Sequence, residues 1–178
     1  PTQVYDMFGF PKELYEVKYP VKGSKDLTTE VEKILGNEVK INDDWGIDHG
    51  TWTVFFHMFP EARIPVVQLS VNAYLNTEKA YKLGENLAKL REKGYLIVGS
   101  GNIVHNLRKI EWDNPKGTQE ADKFDRYILE NISKREDEKV IKYEEHEYSN
   151  YAVPTPDHFM PILYILGASQ GETPYIFN

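Results

Sequence analysis

The stretch TEKAYKLGENLAKLREKGYLIVGSGNIVHN (77–106) decides the fold. Its first part places Ala80, Leu83, Leu87 and Leu90 on one stripe, the spacing of a helix packed along one side. Lysine and arginine fill the last turn, where cations suit the negative end of the helix dipole. Gly94 follows as a stop. YLIVGSG (95–101) then reads as a strand covered on both faces, because a nearly unbroken aliphatic run leaves no side for water. IPVVQLSV (64–71) upstream has the same character. Strand, helix and strand with short links imply a right-handed crossover between parallel neighbours. The expected fold is α/β, one domain over residues 1–178 with a mainly parallel, helix-covered central sheet.

Working outward, Leu27, Val31 and Leu35 predict a helix over 25–35, and Ala121, Phe124, Ile128 and Ile132 predict one over 118–134. PDHFMPILYILGA (156–168) opens with a proline near N1 and closes at Gly167, the pattern of a further helix. The first 40 residues alternate turn signals with aromatics and read as a packed loop. The closing TPYIFN (173–178) reads as a strand with nothing after it.

Composition narrows the function. The chain has 178 residues, 40% hydrophobic and 13% aromatic, which is ample for a core. Its 21 basic and 28 acidic residues leave a net charge of −7, which argues against a nucleic-acid or anionic-membrane partner needing a clustered cationic surface. Cysteine is absent, so disulfides, thiolate metal sites and a cysteine nucleophile are excluded. No apolar run reaches membrane-spanning length and no signal peptide opens the chain, so cytoplasmic placement is the default expectation.

Chemistry-bearing residues cluster in three stretches. GSGNIVHN (99–106) follows the second expected strand, and in open α/β sheets ligands sit beyond the carboxyl ends of strands. There Gly99 and Gly101 allow a sharp turn, and Asn102, His105 and Asn106 emerge. The alternative is an ordinary strand-to-helix turn with a surface histidine. DDWGIDHGTWTVFFHMFP (43–60) puts Asp48 or Gly50 at a helix start, with His49 at its mouth. A neutral imidazole there can hydrogen-bond an anionic ligand, or it can serve only as a local cap. His57 lies about 12 Å further along the same helix, too far to share an ion with His49. NYAVPTPDHFMP (150–161) carries His158 in a first helical turn after a proline-stiffened loop, where Asp157 suits the helix N-terminus. His146, in YEEHEY, and the run KREDEK (134–139) read as solvated faces. No HExxH, Walker A or GxSxG pattern occurs. Three histidines on three separate connections remain, the usual way a metal or acid–base site is assembled.

GIDHGTW, IPVVQLS, GSGNIVHNLR and PTPDHFMPILYILGA, in this order, resemble the class III (LigB-type) extradiol ring-cleaving dioxygenases, nearest the 4,5-DOPA dioxygenase branch. The resemblance implies a LigB-like fold, a small catechol-type substrate, O2, and one Fe(II) or Zn(II). It implies His105 and His49 as catalytic, His49 and Asn102 as substrate-binding, and His158 and His105 as metal neighbours, the three imidazoles converging on one pocket. It also implies two upstream histidines, in an HG-type and a SAHW-type motif, that this sequence does not contain. The expectation is therefore a chain truncated at its N-terminus, and at its C-terminus after PYIFN, relative to that family. Two other functions are set beside ring cleavage: a scaffold or binding protein of the same fold without a full metal site, and a zinc-dependent hydrolase.

Overall fold

A computed structural model of the chain describes residues 1–72 and 74–177. The chain divides into two compact units, Pro1–Ser70 and Val71–Asn178. The helices are α1 (Lys25–Leu35), α2 (His49–Met58), α3 (Thr77–Arg91), α4 (Gln119–Ser133), α5 (Asp137–Ile141), α6 (Ser149–Ala152) and α7 (Met160–Ala168). None of the described helices is long and apolar enough to cross a membrane.

In the N-terminal unit, Ser24 starts α1 by accepting the Leu27 N–H on Oγ at 3.2 Å. Asp48 does the same for α2, accepting from Thr51 N at 3.2 Å. Each cap satisfies an amide that the helix cannot. Met7, Tyr19, Val21, Ile47 and Trp52 form the core of this unit. The leading segment is pinned to the approach to α2 by a parallel bridge between Gln3 and Ile47. Its bonds run from Val4 N to Ile47 O (2.9 Å) and from Ile47 N to Thr2 O (2.8 Å). The Trp52 indole donates to Val4 O at 2.9 Å, closing the same join from the helix side.

The C-terminal unit is built on α3 against α7. The expected stripe on α3 is its buried face: Ala80, Leu83, Leu87 and Leu90 are all inside. Backbones touch at the crossing. A Cβ on Gly84 would lie 2.1 Å from Tyr164 O, and one on Gly167 would lie 2.1 Å from Tyr81 O. Gly167 is thus not the helix stop that the sequence suggests: α7 runs through it to Ala168, and its missing side chain serves close approach. Phe124, Ile128 and Ile132 of α4 are buried as expected, and Phe124 meets Phe159 at 6.2 Å between ring centroids. Tyr143 lies against Phe159 at 4.2 Å, and burial pushes its phenol up to about 12.

Two expectations change. The two apolar runs form no ladder: among the described residues the Gln3–Ile47 contact is an isolated bridge and no strand is formed. YLIVGSG takes up no regular secondary structure, and Leu96 is 70% exposed and Val98 38%. Hydrophobic runs report what a segment would bury, whereas a strand exists only through a partner's backbone groups. Residues 173–177 are likewise unpaired, and Asn178 lies outside the described residues. KREDEK is not simply a solvated run. Arg135 takes φ +55° and donates to Asp137 Oδ2 (2.7 Å), Leu166 O (3.0 Å) and Ser169 Oγ (3.1 Å). Tyr81 donates to the same Asp137 oxygen at 2.8 Å. A charged run therefore ties α5 to the ends of α3 and α7.

The crossing yields a direct test. Gly84→Ala forces a methyl onto a backbone carbonyl that no rotamer change can move, so the helices must separate. Overpacking of this kind costs about 1–3 kcal/mol, and thermal unfolding should show Tm several degrees lower. An unchanged Tm would mean that the crossing is looser than the structure shows.

Candidate active-site histidines

His158 ends a short 3-10 turn, Pro156–His158, immediately before α7. Its Nδ1 stands 2.6 Å from Asp157 Oδ2. That nitrogen is closed to solvent and has no hydrogen-bond partner, the carboxylate lying out of line with a ring N–H. Burial alone would raise the Asp157 pKa. Hydrogen bonds from Thr155 and from its own backbone N–H, with the His158 ring close by, outweigh that and hold it below the usual carboxylate range. An ionised carboxylate on Nδ1 leaves Nε2 as the atom for other work.

His105 reaches the same place on a loop fixed at both ends. Asn102 N donates to His158 O at 2.9 Å, and His105 N donates to Ala152 O at 2.9 Å. The Asn106 side chain donates to Tyr151 O at 2.7 Å and accepts from Arg108 N at 3.2 Å. The glycines before His105 serve a purpose other than the expected one. Neither Gly99 nor Gly101 has positive φ, but a Cβ on Gly101 would lie 2.2 Å from His158 O. Gly101 is there for contact, not for a turn. The result is that the His105 and His158 rings stack, centroids 3.5 Å apart and planes 9° from parallel.

This stacking bears on metal chemistry. Imidazole lone pairs lie in the ring plane, so two nearly parallel rings aim them side by side, whereas two ligands of one ion must converge at about 2.1 Å. Among the described residues no group of three or more His, Asp or Glu side chains is arranged to hold an ion. The described donors therefore do not fit a complete three-ligand site. They offer one carboxylate-backed imidazole, His158, and a second imidazole lying flat against it.

His49 belongs to the N-terminal unit, as the first residue of α2. Its backbone N–H donates to Asp6 Oδ1 at 3.0 Å, and its Nδ1 is 3.0 Å from that same oxygen. The neighbouring cap Asp48 is locked by Gln68. Gln68 donates from Nε2 to Asp48 Oδ2 (2.9 Å) and accepts on Oε1 from Asp48 N (3.0 Å) and from Thr51 Oγ1 (2.7 Å). GIDHGTW and IPVVQLS thus meet through their polar residues.

The remaining expectations divide. Asn102 is exposed and contributes its backbone N–H to the His158 turn. His57 is exposed, and so is Arg108. His146 is not on a solvated face: it is half-buried, packs on Tyr127 (4.5 Å) and Phe124 (5.4 Å), and its Nδ1 accepts from Tyr148 N at 3.2 Å. Asp6 and Gln68 escaped sequence reading. Asp157 was visible as a neighbour of His158, but read only as a helix-start residue.

A histidine with a carboxylate at its Nδ1, stacked on a second histidine, is an arrangement with the chemistry to transfer protons or to neighbour a metal. The family is set by sequence. Residues 2–177 match the catalytic LigB subunit of aromatic ring-opening dioxygenase, and the chain belongs to that family. It is 37% identical over 98% of its length to a 4,5-DOPA dioxygenase extradiol of Escherichia coli (strain K12), covering 66% of that protein. It is 36% identical over 93% of its length to a 4,5-DOPA dioxygenase extradiol of Beta vulgaris, covering 64% of it. A crystal structure of an uncharacterized protein from Escherichia coli K12 superposes with a TM-score of 0.80 at 36% identity, over 90% of this chain and 68% of that one. The chain thus spans just under two thirds of the length of these two curated relatives.

Proposed function

We propose that this chain carries the acid–base and substrate-facing part of an extradiol dioxygenase that opens a catechol-type ring with O2. The observation that carries the reading is the stacked His105–His158 pair with Asp157 behind it. In this reading His158 is a ligand for Fe(II) or Zn(II), because Asp157 orients it and frees Nε2, the arrangement that metal-binding histidines use. His105 is the proton acceptor. Its ring is held by stacking on His158 and its backbone by the bond to Ala152, which limits the reorientation needed to meet a catechol hydroxyl. A neutral imidazole is matched to that task near neutral pH. His49 and Asn102 contact the substrate. The runs 64–71 and 95–101 are sheet-forming segments of the whole protein, and the protein works in the cytoplasm without a nucleic-acid or membrane partner.

Two outcomes test this. The first uses a chimaera joining this chain to the part of the Escherichia coli 4,5-DOPA dioxygenase extradiol that the match leaves uncovered. There His105→Ala should lower kcat for catechol cleavage, followed as the yellow ring-opened product, by about 10²- to 10⁴-fold, the usual range for a lost general base. Catechol binding should change far less. A near-normal kcat would leave His105 a structural residue. Hydrolysis without ring opening by the zinc-loaded chimaera would favour the hydrolase reading instead. The second concerns the 178-residue chain alone. Facial Fe(II) sites use three protein ligands, and the described donors do not supply them. Metal analysis after dialysis should show iron or zinc well below one per chain. Tight one-to-one binding would contradict this ligand count.

A further inference from the structure

We propose that Asp6 is a positioning residue for His49: its carboxylate fixes the neutral ring with the proton on Nδ1 and presents Nε2 to a substrate hydroxyl as a hydrogen-bond acceptor. The proposal rests on the reading of His49 as a substrate-facing residue and says how that residue is held.

Three features support it. One Asp6 oxygen faces both the backbone N–H and the Nδ1 of His49, each at 3.0 Å. Nδ1 is closed to solvent and has no hydrogen-bond partner, and this carboxylate oxygen stands within reach of it but out of line with a ring N–H, so a turn of the ring would close the bond. Asp6 is also delivered to this spot by its own segment. Val4 and Thr2 are bonded to Ile47 just before α2, and the Trp52 indole bonds Val4 from within α2. These bonds fix the chain at residues 2–4 relative to 47–52, so Asp6 arrives in register with the first turn of the helix. Helix capping does not account for Asp6 by itself, because Asp48 already caps α2 and Gln68 holds that cap in place. Asp6 does take one further orphan amide, that of His49, but a cap needs no imidazole beside it. Burial works against the charge on Asp6. The hydrogen bond from the His49 backbone N–H and the ring close by outweigh it and hold the carboxyl below its ordinary pKa, so at neutral pH Asp6 is a negative acceptor beside Nδ1.

The consequence alters the role expected of His49. A neutral imidazole has one N–H. If Asp6 holds it on Nδ1, Nε2 is a bare lone pair, able to receive a catechol hydroxyl but not to donate to an anionic oxygen. His49 becomes a donor at Nε2 only as an imidazolium paired with Asp6. The arrangement repeats the Asp157–His158 pair in chemistry, with a carboxylate on Nδ1 in each case.

The test is long-range ¹⁵N–¹H correlation NMR of histidine-labelled 178-residue chain at mildly alkaline pH. His49 should show the proton on Nδ1 in the wild type. In Asp6→Ala the signal should move toward the Nε2–H form, and Asp6→Glu should return it at least in part. A wild-type His49 protonated on Nε2 overturns the proposal without any variant, and so does a tautomer unchanged in folded Asp6→Ala. In the chimaera, Asp6→Ala should lower kcat with little change in KM, and should add nothing on top of His49→Ala, since the two act as one unit. If the tautomer follows Asp6 while His49→Ala turns over like wild type, the substrate role of His49 falls and the positioning stands. If His49→Ala is impaired while the tautomer ignores Asp6, the positioning falls and the role stands.

Discussion

The C-terminal unit turns on a contact between two backbones, where the chain at Gly101 lies against the carbonyl of His158. A Cβ at 101 would stand 2.2 Å from that oxygen, and the next amide, Asn102 N, donates to it at 2.9 Å. A hydrogen bond between main-chain groups sets spacing more tightly than side-chain packing, because neither partner has a rotamer to change. From this point the loop runs only a few residues to His105, while His158 leads straight into α7. One contact therefore sets the separation of two imidazoles far apart in sequence, and the bond from His105 N to Ala152 O fixes the far end. The Gly84–Tyr164 and Tyr81–Gly167 approaches do the same for the helices beneath, so that α7 presents His158 from a fixed base.

How much of this was legible varies with the range of the interaction. Helices written in local periodicity were readable nearly to the residue: α1 spans Lys25–Leu35, and Ala80, Leu83, Leu87 and Leu90 of α3 are buried as their spacing implies. Pro156 and Gly94 also punctuate the chain as turn chemistry requires. The runs 64–71 and 95–101 were readable as apolar but not as paired, since pairing depends on a partner that the run itself does not encode. The glycines were noticed for the wrong reason. Sequence shows where a side chain is absent, but not whether φ or a neighbouring carbonyl demands it. His105 and His158 stood out through their motifs, whereas their stacking did not. Asp6 lies far upstream of His49, in a stretch that read as a loop, and nothing in its neighbours signals an imidazole partner. Arg135 and His146 show the converse error, in which charged local context hid buried contacts.

The electrostatics divide labour among the histidines. Asp157 and Asp6 both stay ionised because hydrogen bonds from their surroundings outweigh the burial that opposes charge, and each stands at the Nδ1 of a histidine. A histidine so held is strengthened as a base or a ligand through Nε2. His105 is anchored differently, by its backbone and by the face of another ring. Stacked on His158, it cannot share an ion with it unless the rings part. On the proposed reading, the pair is one ligand and one proton carrier.

That division can be measured on the chain itself. Zinc is titrated into ¹⁵N-histidine-labelled protein, and the ring nitrogens of His105 and His158 are followed separately, even where binding is weak. A ligation shift is expected at His158 Nε2, with Nδ1 keeping its proton toward Asp157, and no ligation shift at either nitrogen of His105. Ligation shifts at both histidines with a common dissociation constant would contradict it, because the rings would then have parted to hold one ion between them.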